Sequence, residues 1–118
     1  MMKHHIVCLD FDGVINRYPG WENEGFVTIT GEPFPEAAEQ IQQLRDAGVM
    51  ILVHSTRCGY RNGTGAIANY LEFHNIPVDG VCFNKPPADL YIDDKACLHT
   101  KWEGMAAKVL ALVRPKPK

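Results

Sequence analysis

Ile6-Val7-Cys8-Leu9-Asp10-Phe11-Asp12-Gly13 joins a continuous apolar run to two carboxylates and a glycine. A run without polar alternation has no solvent face, so it predicts a short strand buried on both sides, from about His5 to Asp10. Such strands belong to parallel sheets covered by helices. Gly13 predicts that the chain turns straight after the acids. If the extended conformation lasts past Asp10, side chains 10 and 12 project to one face.

The same pattern returns downstream. Val49-Met50-Ile51-Leu52-Val53-His54 reads as a second buried strand, Val81-Cys82-Phe83 as a third and Leu90-Tyr91-Ile92 as a fourth. Helical spacing fills the gaps. Ala37, Ile41, Leu44 and Ala47 form one stripe, with Pro35 fit for its first turn and Gly48 placed to end it. Ile67, Tyr70, Leu71 and His74 form a second stripe that stops before Pro77. A last helix is expected from about Trp102 to Val113, burying Met105, Val109 and Leu112. Between Asn16 and Gly31 the chain is polar and rich in turn signals, with a β-prone stretch at Phe26–Thr30. That predicts a flap or hairpin. Strands alternating with helices give an α/β class, with a parallel sheet and right-handed crossovers.

At 118 residues the chain is expected to be one domain, residues 1–113, with the flap at about 16–33 and a basic, proline-broken tail at 114–118. The net charge of −2 argues against a dedicated nucleic-acid binder, so no stable nucleic-acid binding is expected. Cys8, Cys58, Cys82 and Cys97 form no CxxC pair and no zinc-type spacing with histidine, which points to reduced, incidental thiols. Met1-Met2-Lys3-His4-His5 leads into a run too short for a signal peptide or a membrane span, so the cytoplasm is the expected compartment. Gly59, Gly63 and Gly65 are not followed by Gly-Lys-Ser/Thr and make no P-loop.

In open parallel sheets, ligands bind beyond the carboxyl ends of the strands. Here the strands end in Asp10-Phe11-Asp12-Gly13, in Ser55-Thr56-Arg57, in Asn84-Lys85 and in Asp93-Asp94. Carboxylates gathered at one edge repel each other, and a divalent cation relieves that. Oxygen donors suit magnesium, which binds through a few carboxylates together with a substrate phosphate. A carboxylate at such a site can attack phosphorus and form an aspartyl phosphate. Two neighbouring acids in different surroundings can divide into a charged nucleophile and a protonated acid. Asp10 is assigned as nucleophile, and Asp12 as general acid and then general base.

These residues resemble the haloacid dehalogenase-like (HAD) hydrolase superfamily. Its DxDx(T/V) motif is matched by Asp10-Phe11-Asp12-Gly13-Val14, its strand-end hydroxyl by Ser55, its lysine by Lys85, and its acid pair by Asp93-Asp94 after Leu90-Tyr91-Ile92. The motifs occur in order over residues 5–95. The chain is also similar to short bacterial and phage HAD-like proteins with an STR segment and a KPPA…YIDD segment. The resemblance implies a three-layer, Rossmann-like fold with helices on both faces of the sheet. It implies a catalytic set of Asp10, Asp12, Ser55 and Lys85. It also implies magnesium held by Asp10, the backbone carbonyl of Asp12, and Asp93, with Asp94 beside them. Thr56, Arg57 and Gly13 are the expected substrate contacts. Because HAD phosphatases carry an acid at the Asp12 position, phosphate-ester hydrolysis is the expected reaction.

A large cap domain has no room in this chain. An uncapped site is open to a phosphorylated small molecule or a macromolecular end, and a second copy of the chain could serve as a lid. Trp21 and Phe26 are candidates to cover the site or to pack the flap. Two other readings are a non-catalytic module that keeps the fold and a receiver-type phospho-accepting domain. The receiver fits the motif order poorly, because no Asp ends a middle strand.

Overall fold

The computed structural model describes residues 5–17, 28–93, 102–104 and 106–107. Asp94, Lys95, Cys97, Trp21, Phe26, the tail and most of the expected last helix lie outside the described residues.

Strand β1 (Ile6–Asp10) lies at the centre of a four-stranded parallel sheet. Helix α1 (Ala37–Asp46) leads from the flap region to β4 (Met50–His54), and α2 (Gly63–Phe73) leads from β4 to β5 (Gly80–Val81). The chain then crosses β1 to form β6 (Leu90–Ile92), giving the order β5-β4-β1-β6. Both helical crossovers step the same way along the sheet, so right-handed connections set α1 and α2 on one face. The reversal of direction at β1 makes its carboxyl end a topological switch point, where ligands of such sheets bind.

Register explains the two faces. Val7 pairs with Ile51 and Leu9 with Val53. These four side chains turn toward the helices and join Ile41, Ile67 and Leu71 in the core. Cys8, Asp10 and His54 alternate to the other face, with Asp10 opposite His54. The buried runs at Ile6–Leu9 and Met50–Val53 are thus strands with both faces in use.

Residues 16–17 (β2) and 32–33 (β3) pair antiparallel and form the base of the expected flap. The β-prone stretch ending at Thr30 is not a strand at residues 28–30; the pairing lies at Glu32–Pro33 instead. Only residues 18–31 separate the two strands, too few for a cap domain. The first helix ends at Asp46, and of its expected stripe Ile41 is buried while Leu44 is exposed. The third strand is shifted one residue toward the N-terminus and stops at Val81. Part of the expected loop after Ser55 is a 3-10 turn at Thr56–Gly59. Among the described residues no helix is long and apolar enough to cross a membrane. Cys8 and Cys58 are buried free thiols and Cys82 is half-buried.

Candidate active site

A cavity of about 240 Å³ opens at the carboxyl edge of the sheet. Asp10 at the end of β1 and Asp93 just past β6 both line it. The pairing of Leu9 with Ile92 explains why: one step further along the two strands come Asp10 and Asp93. Ser55 and Thr56 after β4 add two hydroxyls, and Lys85 adds a cation. Ser55 is buried and extended, and its Oγ accepts the Arg57 backbone N–H at 3.2 Å, leaving its own proton to donate. Thr56 is the more exposed of the two.

Lys85 is held by its neighbours. The Tyr91 hydroxyl donates to the Pro86 carbonyl at 2.6 Å, which fixes the ring. The Lys85 ammonium lies 4.5 Å from that ring's centroid, within cation–π range. The lysine and tyrosine of the KPPA…YIDD pattern therefore meet in space.

His54 and Cys8 also line the cavity. Burial, and then the charge of Lys85, push His54 below its ordinary value of 6.5, against a bond to the Phe83 backbone that raises it. Burial pushes the Cys8 thiol up, with Cys82 and Asp10 adding to the rise and Lys85 opposing it. Reading strand ends alone misses both residues as site members. The signal that finds them is strand alternation, which sets Cys8 on the face of Asp10 and, with register, His54 beside it.

Asp12 does not line this cavity. The strand ends at Asp10. The Phe11 carbonyl then accepts the N–H groups of Val14, Ile15 and Asn16 in a tight turn, with Gly13 at φ 86°. That turn breaks the alternation which would have set residues 10 and 12 on one face. The Asp12 carboxylate faces the interior instead. Arg57 donates to it from Nε at 2.8 Å and from Nη2 at 3.0 Å, and Asn16 Nδ2 donates at 3.0 Å. The Tyr70 hydroxyl in turn donates to Asn16 Oδ1 at 3.0 Å.

Two expectations change as a result. Arg57, read as a substrate contact, is fully buried, at 0% exposure, and serves Asp12 rather than a ligand. Asp12, expected to act at the site as general acid and base, has its side chain committed to Arg57 and lies outside the cavity lining. Gly13 is in the turn and not in the cavity lining. Among the described residues no group of three His, Cys, Asp or Glu side chains gathers closely enough to hold a metal ion. Asp10 and Asp93 are the two carboxylates among the described residues lining the cavity, and magnesium takes only one or two carboxylates beside a phosphate and several waters.

A larger cavity, of about 840 Å³, lies between residues 29–32 and α2. Asn62, Asn69, Tyr70, Phe73 and His74 line it, with no Lys or Arg among the described lining residues. It lacks the charge needed for phosphate chemistry, so the smaller cavity is the candidate site despite its size.

No family model matches the chain, and no curated protein matches it. Among solved structures it is similar to a structural-genomics target from Vibrio cholerae, with a TM-score of 0.54 and 20% identity over 92% of this chain and 95% of that one. At that identity the likeness concerns the fold, which is the compact α/β architecture described above.

Proposed function

We propose that the chain is a magnesium-dependent phosphate-ester hydrolase that works through an aspartyl phosphate on Asp10. The observation that carries this is the meeting of Asp10, Asp93, Ser55, Thr56 and Lys85 around one small cavity at the sheet's switch point. It agrees with the HAD resemblance of the same residues.

Asp10 and Asp93, with the Asp12 carbonyl, would hold magnesium, which supplies neutralisation of the phosphate charge. Ser55 donates its hydroxyl proton to a phosphoryl oxygen, and Thr56 lies beside it for the same purpose. Lys85 balances charge on the phosphoryl group. An Asp10 oxygen attacks phosphorus in line, forming one P–O bond as the bond to the leaving oxygen breaks. The HAD resemblance assigns Asp12 the proton given to the leaving oxygen and then taken from water, a role that requires its carboxylate to turn out of the bonds it accepts here from Arg57 and Asn16. Water then attacks the phosphoryl group of Asp10, and phosphate departs with Asp10 restored.

The test is turnover of p-nitrophenyl phosphate with magnesium and its loss with EDTA. Asp10→Asn should abolish turnover, and full activity in that variant would remove Asp10 from its role. A long-lived phosphoprotein that releases little phosphate would mark a receiver. Magnesium binding with no phosphoryl chemistry would mark a binding module.

A further inference from the structure

Resting on that reading, we infer that Tyr91 is a positioning residue, which holds both the backbone and the ammonium of Lys85 in place for a phosphoryl oxygen. Lys85 lies in the stretch between β5 and β6, so no strand ladder sets its pose. That stretch is tied at its two ends. The Cys82 N–H donates to the Val53 carbonyl at 2.8 Å, and the Asp89 N–H donates to the Ile6 carbonyl at 2.8 Å. Tyr91 ties the middle, where its hydroxyl donates to the Pro86 carbonyl at 2.6 Å. Pro86 in turn restricts the backbone of Lys85 to extended conformations, and Pro87 does the same for Pro86.

The ring of the same tyrosine meets the other end of the lysine, with the ammonium 4.5 Å from its centroid. Tyr91 pairs with Cys8, so its ring belongs to the Asp10 face of the sheet. The charge of Lys85 acts on both Cys8 and His54, which sets the ammonium over that face. A lysine side chain has many rotamers, and fixing one of them at binding costs entropy unless it is fixed beforehand. A carboxylate could fix it too, but only by accepting its hydrogen bonds and cancelling its charge. A ring face holds an ammonium through its quadrupole and accepts none of its three N–H donors in the ordinary way. The contact therefore orients Lys85 while leaving its charge for a phosphoryl group in the cavity that Asp10, Ser55 and Thr56 also line.

The experiment follows Tyr91→Leu, which loses both contacts, and Tyr91→Phe, which keeps the ring. With magnesium, Tyr91→Leu should lower kcat/KM for p-nitrophenyl phosphate about tenfold and weaken binding of orthovanadate to match, whereas Tyr91→Phe should lose about threefold. In a Lys85→Met background Tyr91→Leu should cost nothing further, because the group it positions is gone. Orthovanadate binding, read by calorimetry, needs no turnover and carries this comparison where Lys85→Met is too slow to assay. The rise in Tm with magnesium should persist in Tyr91→Leu, since Asp10 and Asp93 are untouched. Damage to β6 alone would displace Asp93 and remove that rise. Should Tyr91→Leu fail to fold, Tyr91→Met carries the same test. Wild-type kcat/KM in a folded Tyr91→Leu overturns the inference. So does an equal fall with and without Lys85, an equal fall in Tyr91→Phe and Tyr91→Leu, or loss of the magnesium rise in Tyr91→Leu, and each of these leaves the hydrolase reading intact. A wild-type protein inert to p-nitrophenyl phosphate with magnesium overturns the hydrolase reading itself, and the inference with it.

Discussion

Arg57 and Asp12, forty-five positions apart in sequence, close on each other through two hydrogen bonds of 2.8 and 3.0 Å in the interior. The pair ties the turn after β1 to the turn after β4. Removing one partner leaves the other as an uncompensated buried charge, which typically costs about 3–5 kcal/mol. Arg57→Met should therefore lower the urea midpoint sharply. The double variant Arg57→Met with Asp12→Asn should recover much of the loss, because neither charge remains. Equal midpoints for the single and double variants would show that the pair is not coupled.

Gly63 offers a steric check on the same turn. The Cβ of an alanine there would overlap the Arg57 carbonyl oxygen, which is backbone and has no rotamer to escape into. At Gly65, two residues on in the same helix, an alanine Cβ would meet nothing within 4 Å. Gly63→Ala should destabilise by about 1–3 kcal/mol or more. Gly65→Ala should stabilise by about 0.5–1 kcal/mol through helix propensity. Chemical denaturation of both variants reads the contrast, and matching effects would contradict the packing described.

The fold was legible because its strands are uninterrupted apolar runs and its helices carry plain periodicity. Ile6–Leu9, Met50–Val53 and the Ile67/Leu71 stripe needed no tertiary information. Asp10, Ser55, Lys85 and Asp93 could be found because each follows such a strand. What escaped was decided by local backbone geometry. Extended alternation set Asp12 beside Asp10, but three N–H groups converging on the Phe11 carbonyl turn it inward. The burial of Arg57 follows from that turn, and a loop arginine in sequence gives no sign of it. Strand register, which brings His54 beside Asp10, is likewise a tertiary property.

Magnesium binding can be tested without turnover. A ligand that binds only the folded state stabilises it by about 1.4 kcal/mol at ten times its Kd. For a domain of this size that is a rise in Tm of about 4–6 °C. Magnesium should raise the Tm of the wild type, and Asp10→Asn or Asp93→Asn should remove the rise. Asp12→Asn should keep most of it, because that carboxylate faces Arg57 and not the cavity. Loss of the rise in Asp12→Asn alone would return its side chain to the metal site.

His54 makes stability depend on pH in a defined direction. In the unfolded chain its imidazole takes a proton as pH falls through about 6.5. In the folded protein burial and Lys85 hold it lower, so protonation comes at a more acid pH. Between those two values the unfolded state binds more protons, and stability rises with pH. The contribution is complete above the unfolded value and is lost as pH falls toward the folded one. Denaturation in EDTA from pH 7.5 to 5 should therefore show a shallower acid decline in His54→Asn than in the wild type. Lys85→Met should flatten the decline only in part, because burial is the larger of the two causes. Parallel curves for the wild type and His54→Asn would show that this histidine does not carry the effect.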